Sequence, residues 1–146
     1  MLEIQNLHAS VAHTAILHGI DVTFEKSKNT CILGKNGSGK SSLASIIMGN
    51  PAYEVTDGTI TLDGENLLAM SPEERSLAGI FLSFQNVTEI KGIKVSEYLR
   101  TIYNLHLPRI APGTSPLSPM LFSRFIKPLL TNCDIPESFL ERDLNV

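Results

Sequence analysis

Gly34-Lys-Asn-Gly-Ser-Gly-Lys-Ser41 is the stretch on which the reading of this chain turns. Gly34, Gly37 and Gly39 let backbone N–H groups turn inward around an anion, where a β-carbon would intrude. A glycine, four residues, then Gly-Lys-Ser is the full pattern of a phosphate-binding loop. In that pattern Lys40 reaches the outer phosphates of a nucleoside triphosphate as a point charge, and the Ser41 hydroxyl is a ligand for Mg²⁺. From average residue usage, a chance match in a chain this long is about one in 200. The predicted phosphate contacts are Gly34, Lys35, Asn36, Gly37, Ser38, Gly39, Lys40, Ser41 and Ser42. ATP or GTP is the implied ligand.

Upstream of the loop, Thr30-Cys-Ile-Leu33 is apolar without alternation, which predicts a strand covered on both faces. Before it, Leu2 and Ile4, and then Ile20, Val22 and Phe24, alternate with polar residues and predict antiparallel strands with one wet face. Downstream, Ser42 to Met48 reads as a helix stopped by Gly49, with its positive end aimed at the loop. Asn50 to Gly58 reads as irregular. Thr59 to Leu62 reads as a strand entering an Asp63-Gly64 turn.

Ser71-Pro-Glu-Glu74 predicts a capped helix ending near Gly79. Ile80 to Phe84 predicts a strand that delivers Gln85. Val95, Leu99, Ile102, Tyr103 and His106 form a helical stripe with Ser96 as N-cap. Pro108 to Pro119 reads as a loop. A last helix from Ser118-Pro119 carries Leu121, Phe122, Phe125, Ile126, Leu129 and Leu130, and Pro128 is expected to kink or end it.

The 146 residues suit a single domain, with 42% apolar and 18% charged residues and a formal charge of 12 − 15 = −3. That balance argues against disorder and against a nucleic-acid partner. No apolar run approaches the roughly 20 residues of a membrane span, and the N-terminus lacks signal-peptide features. The expectation is a soluble, cytoplasmic chain. Cys31 and Cys133 are too isolated for a disulfide framework or metal cluster and read as small buried hydrophobes or free thiols. His8, His13 and His18 read as ordinary residues rather than metal ligands.

Strands before the phosphate loop, then an exposed Gln85 after a later strand, resemble the ATPase domain of the ABC family. Tyr53-Glu-Val-Thr-Asp-Gly58, Leu67-Leu-Ala-Met-Ser-Pro-Glu-Glu-Arg75, and Gly79 to Gln85 with Glu89-Ile90 and Gly92 are most similar to SufC-type ATPases of iron–sulfur cluster assembly. The resemblance implies an α/β fold of the P-loop NTPase type. An antiparallel β layer with the P-loop strand (1–33), loop and helix (34–49), a partly parallel β/α core (50–94) and the start of a helical subdomain (95–146) would make one partial domain. It implies ATP with Mg²⁺, Gln85 as a second Mg²⁺ and water-positioning residue, a homodimer in the full-length form, and SufB- and SufD-like soluble scaffold partners. ABC ATPases commonly stack adenine on an aromatic ring ahead of the loop, whereas here Ala9 to Ala15 offers only His13.

Glu141 to Val146 looks like the segment just ahead of the family's Ser-Gly-Gly signature. Residues 1–146 hold neither that signature, nor the acidic strand with its adjoining glutamate, nor the switch histidine. Each absent group acts on the transition state, so the expectation is weak Mg-ATP binding with almost no turnover. A marginal fold with an unpaired strand edge is expected with it. A non-catalytic nucleotide-binding relic or interaction module, and a transporter ATPase with a membrane partner, are the alternatives.

Overall fold

The computed structural model describes residues 1–85, 87 and 89–144 and divides into two compact units, Met1–Ser83 and Phe84–Val146. In the first unit, β1 (Leu2–Val11) and β2 (Thr14–Phe24) form a long antiparallel hairpin. Its tip, Ala12 and His13, has φ of 46° and 62°, the left-handed pair that matches strand twist in a two-residue turn. β3 (Tyr53–Leu62) pairs with the other edge of β1, and β4 (Glu65–Asn66) follows through the Asp63-Gly64 turn. The sheet order is therefore β2-β1-β3-β4, antiparallel throughout.

The central strand carries a bulge. Asn6 has φ 47°, and the register of β1 slips between Ile4 and Leu7 against β2 and between Gln5 and His8 against β3. The bulge is tied down on both sides. Asn6 N–H donates to Asp21 Oδ1 (2.8 Å), its side-chain amide to Asp57 Oδ2 (3.3 Å), and its Oδ1 lies 3.1 Å from His8 Nε2.

One face of the sheet presents Ile4, Leu7, Ala9, Leu17 and Ile60, which are buried in one core with Leu43 and Ile46 of α1 (Lys40–Met48). α2 (Pro72–Leu77) begins with the predicted capping box: Ser71 Oγ accepts from Glu74 N–H (3.2 Å) and Glu74 Oε2 accepts from Ser71 N–H (2.7 Å).

Several expectations are corrected. Tyr53 to Gly58 belongs to β3 rather than an irregular segment, because Val55 and Tyr53 pair with Ala9 and Val11. Thr30–Leu33 and Ile80–Phe84 are not strands. Among the described strands none lies beside them, and an extended run becomes a strand only through a hydrogen-bonded neighbour. Leu33 and Phe81 consequently stand 86% and 88% exposed, not covered on two faces. Ile32 lines a small apolar cleft of about 230 Å³ with Leu2, Phe24, Leu43 and Ile80. Cys31 and Cys133 are exposed free thiols rather than buried.

The second unit pairs β5 (Ile90–Lys94) with β6 (Asp143–Leu144) and packs α3 (Val95–Ile110) against α4 (Pro119–Asn132). Phe122, Ile126 and Leu130 of α4 are buried with Leu140, flanked by Val95, Leu99 and Tyr103. The N-cap of α3 is Lys94, without a side-chain bond, so Ser96 does not cap it.

Neither Pro108, expected to open a loop, nor Pro128 ends its helix. Pro108 sits inside α3, two residues before its C-terminal residue Ile110, where it removes a single helical bond. Asn104 there clamps the following loop, its amide donating to Leu117 O (3.1 Å) and its Oδ1 accepting from Leu117 N–H (2.8 Å). Pro128 does not end α4. Its cost of about 3 kcal/mol is outweighed by three buried apolar side chains worth about 1.5–3 kcal/mol each.

Candidate functional site

The phosphate-loop residues come together in the first unit. Asn36-Gly37 forms the turn of the loop, with Ser38 N–H donating to Lys35 O at 3.2 Å. Gly37 and Gly39 have φ of 79° and 89°. Gly39 is the N-cap of α1 and supplies no side-chain acceptor; the first helical bond is Leu43 N–H to Gly39 O (2.8 Å). The N–H groups of Lys40, Ser41 and Ser42 precede that bond and have no partner among the described residues.

Two of the glycines are crowded: at Gly34 a side chain would have to displace the Ser38 hydroxyl, and at Gly39 it would press on β2. A β-carbon on Gly34 would lie 2.7 Å from Ser38 Oγ, and one on Gly39 would lie 2.8 Å from Leu17 Cδ2 and 3.3 Å from Ile16 O. The loop is thus seated directly on β2. At Gly37 a β-carbon meets nothing within 4 Å, so only its φ favours glycine there.

Lys40 folds back across the loop. Its ammonium donates to Gly34 O (2.8 Å) and Lys35 O (2.7 Å), with Ser38 Oγ at 3.4 Å. The charge is held at the mouth of the loop without a carboxylate, beside unbonded amides at the positive end of α1. An open cleft of about 630 Å³ spans Asn36 to Ser42 and is walled on one side by Ala15, Ile16 and His18 of β2.

Those β2 residues escaped the sequence reading. Ala15 to Leu17 offered a signal as an apolar run ahead of the loop, but His18 offered none that separates it from an ordinary surface histidine. His13 is exposed at the hairpin tip. Among the described residues no three His, Cys, Asp or Glu side chains could hold a metal ion. Gln85 lies on an exposed bend at the start of the second unit. Asn145 and Val146, the end of the segment read as preceding a signature, lie outside the described residues.

A glycine-lined loop, with one ammonium and two hydroxyls at a helix start beside a β-hairpin wall, gives the first unit the architecture of a P-loop α/β protein. The fold agrees with solved ATP-binding cassettes. A dimeric cassette, MJ0796, bound to ADP and Pi, superposes with TM-score 0.72 at 18% identity, covering 99% of this chain and 62% of that one. The ABC transporter family model matches residues 17–135, and the chain belongs to that family.

Similar proteins include the probable ATP-dependent transporter ycf16 of Antithamnion sp., 37% identical over 99% of this chain and 57% of its own length. Another is the probable ATP-dependent transporter slr0075 of Synechocystis sp., 41% identical over 99% of this chain and 56% of its own. The chloroplastic ABC transporter I family member 6 of Arabidopsis thaliana is 37% identical over 99% of this chain and 43% of its own length. The chain thus spans about half the length of the curated relatives it matches. No helix among the described residues is long and apolar enough to cross a membrane.

Proposed function

We propose that residues 34–42 bind the triphosphate of Mg-ATP in an ATPase subunit of SufC type. The observation that carries this reading is the row of N–H groups at Lys40, Ser41 and Ser42 without a partner among the described residues, with the Lys40 ammonium held on the same loop by Gly34 O and Lys35 O and, among the described residues, by no carboxylate. The donor set suits a polyphosphate: backbone amides for non-bridging oxygens, one ammonium for the outer phosphates, and the Ser41 hydroxyl for Mg²⁺. Bound Mg²⁺ would neutralise charge on the phosphates, and a Mg²⁺ role for Gln85, in the second unit, rests on the family resemblance alone. The cleft wall at Ala15, Ile16 and His18 would face the nucleoside.

Turnover is a separate matter. Phosphoryl transfer to water needs a positioned nucleophile as well as charge neutralisation. Residues 1–146 supply the loop, Lys40, Ser41 and Gln85, and assayed by themselves they are expected to bind ATP without measurable phosphate release. The Ser71-to-Arg75 and Gly79-to-Gln85 segments support the SufC-type reading. With it come soluble SufB- and SufD-like partners and a nucleotide-dependent homodimer as proposals.

The test is Lys40→Ala. Loss of one charge-assisted phosphate contact, about 1.5–3 kcal/mol, should weaken ATP binding roughly 10- to 150-fold. Unchanged affinity in that variant would overturn the reading. Co-purification with a membrane subunit instead of soluble scaffolds would replace the SufC-type part of it.

A further inference from the structure

We propose that Arg75 is a positioning residue for the phosphate loop, acting from the far end of α1. The proposal rests on the nucleotide reading above. Arg75 is a charged residue only 6% exposed. Its guanidinium donates from Nη1 to Ile46 O (2.7 Å) and Ile47 O (3.1 Å), and from Nε to Met70 O (3.0 Å). Ile46 and Ile47 belong to the last turn of the helix whose first turn offers its amides to the loop.

α1 has nine residues and no basic side chain in its last turn. A helix that short is not stable in water by itself, so its order comes from contacts. At the N-terminal end no side chain caps it. At the C-terminal end Gly49 closes the turn, with its N–H on Ile46 O (3.0 Å). Arg75 then supplies the cation that the negative helix end favours.

The fit against the backbone is close. Gly49 has φ 84°, and a β-carbon there would sit 3.1 Å from both Cζ and Nε of Arg75. No carboxylate pairs with Arg75 among the described residues, so helix carbonyls balance its charge. Burial pushes the guanidinium pKa down, toward easier loss of its proton. The same residue accepts Ile80 N–H at its own carbonyl (3.0 Å), tying the segment after α2 to the end of α1.

Removing the guanidinium would take the side-chain donor from Ile47 O and leave Ile46 O with Gly49 N–H alone. The last turn would then loosen, and with it the fixed direction of the amides at Lys40 to Ser42. Arg75 sits a helix length, about 13 Å, from those amides, so its effect on phosphate runs through α1.

The experiment compares the wild-type chain with Arg75→Met, Arg75→Lys and a core control, Phe122→Ala, which opens a cavity in the second unit, away from α1. Mg-ATP affinity is measured calorimetrically well below each melting temperature, and amide exchange is followed at residues 40–48. Arg75→Met should bind ATP about tenfold more weakly. Arg75→Lys should lose about threefold, because an ammonium cannot span three carbonyls as the planar fork does. Phe122→Ala should keep the wild-type affinity despite an equal or larger fall in melting temperature.

Equal binding by Arg75→Met and wild type, or an equal affinity loss in Phe122→Ala, would overturn the proposal. Should Arg75→Met not fold, wild-type affinity in Arg75→Lys would overturn it. A wild-type chain that binds no ATP refutes the nucleotide reading instead. Exchange protection at residues 43–48, the bonded amides of α1, then decides the role of Arg75, which fails if Arg75→Met leaves that protection intact.

Discussion

Gly58 and Gly64 allow one contribution to stability to be separated from another. Both sit in the left-handed region, with φ of 91° and 87°. A β-carbon on Gly64 would meet nothing within 4 Å, so Gly64→Ala should cost only the backbone term, about 1–2 kcal/mol. A β-carbon on Gly58 would lie 2.3 Å from Asn6 O and 2.6 Å from both Asn6 C and Gln5 O. Those are backbone atoms of the bulged central strand, which β2 and β3 grip from both sides, so no side-chain rotation relieves the clash. Overpacking adds about 1–3 kcal/mol, giving about 2–5 kcal/mol for Gly58→Ala. Urea denaturation followed by far-ultraviolet circular dichroism measures both variants against wild type. The reasoning is refuted if Gly58→Ala proves no less stable than Gly64→Ala.

Three further outcomes are expected. Ser71→Ala removes the acceptor for Glu74 N–H and should cost about 1 kcal/mol in the same denaturation assay, with Ser71→Asp recovering most of it. The Met1 amino group, and then Lys26 at 2.9 Å, hold the exposed Asp63 carboxyl below its ordinary pKa. That pairing stabilises the fold above the unfolded-state pKa and is lost as pH falls through the lowered folded-state value. Asp63→Asn should therefore flatten the acid limb of stability against pH. Replacing both Leu33 and Phe81 by Ser should lower the apparent mass seen in sedimentation, since these side chains stand exposed on segments without strand partners. An unchanged mass in that variant would show that the face does not drive association.

Local chemistry was legible wherever it is self-contained. The loop, the Gly49 stop, the Ser71 capping box and the Asp63-Gly64 turn each depend on a few adjacent residues, and each formed where it was read. The β1–β2 hairpin was only half seen, because the Asn6 bulge and Gly19, with φ 74°, shift the alternation between Ile4 and Ile20.

Thr30–Leu33 and Ile80–Phe84 have strand sequences, but pairing depends on neighbours that a local pattern cannot supply. Pro108 and Pro128 show the converse, since tertiary packing carried the helices past residues that local rules read as stops. In the site, the loop side of the cleft could be named residue by residue. The β2 wall and Arg75 could not, because both act through contacts between residues distant in sequence.

The most direct measurement is a titration of the ¹⁵N-labelled chain with Mg-ATP, following assigned backbone amide resonances. The account predicts that the largest shifts fall on Gly37 to Ser42, that they saturate, and that AMP does not reproduce them. Amides of that stretch unmoved by millimolar Mg-ATP, or displaced less than those elsewhere in the chain, would contradict it.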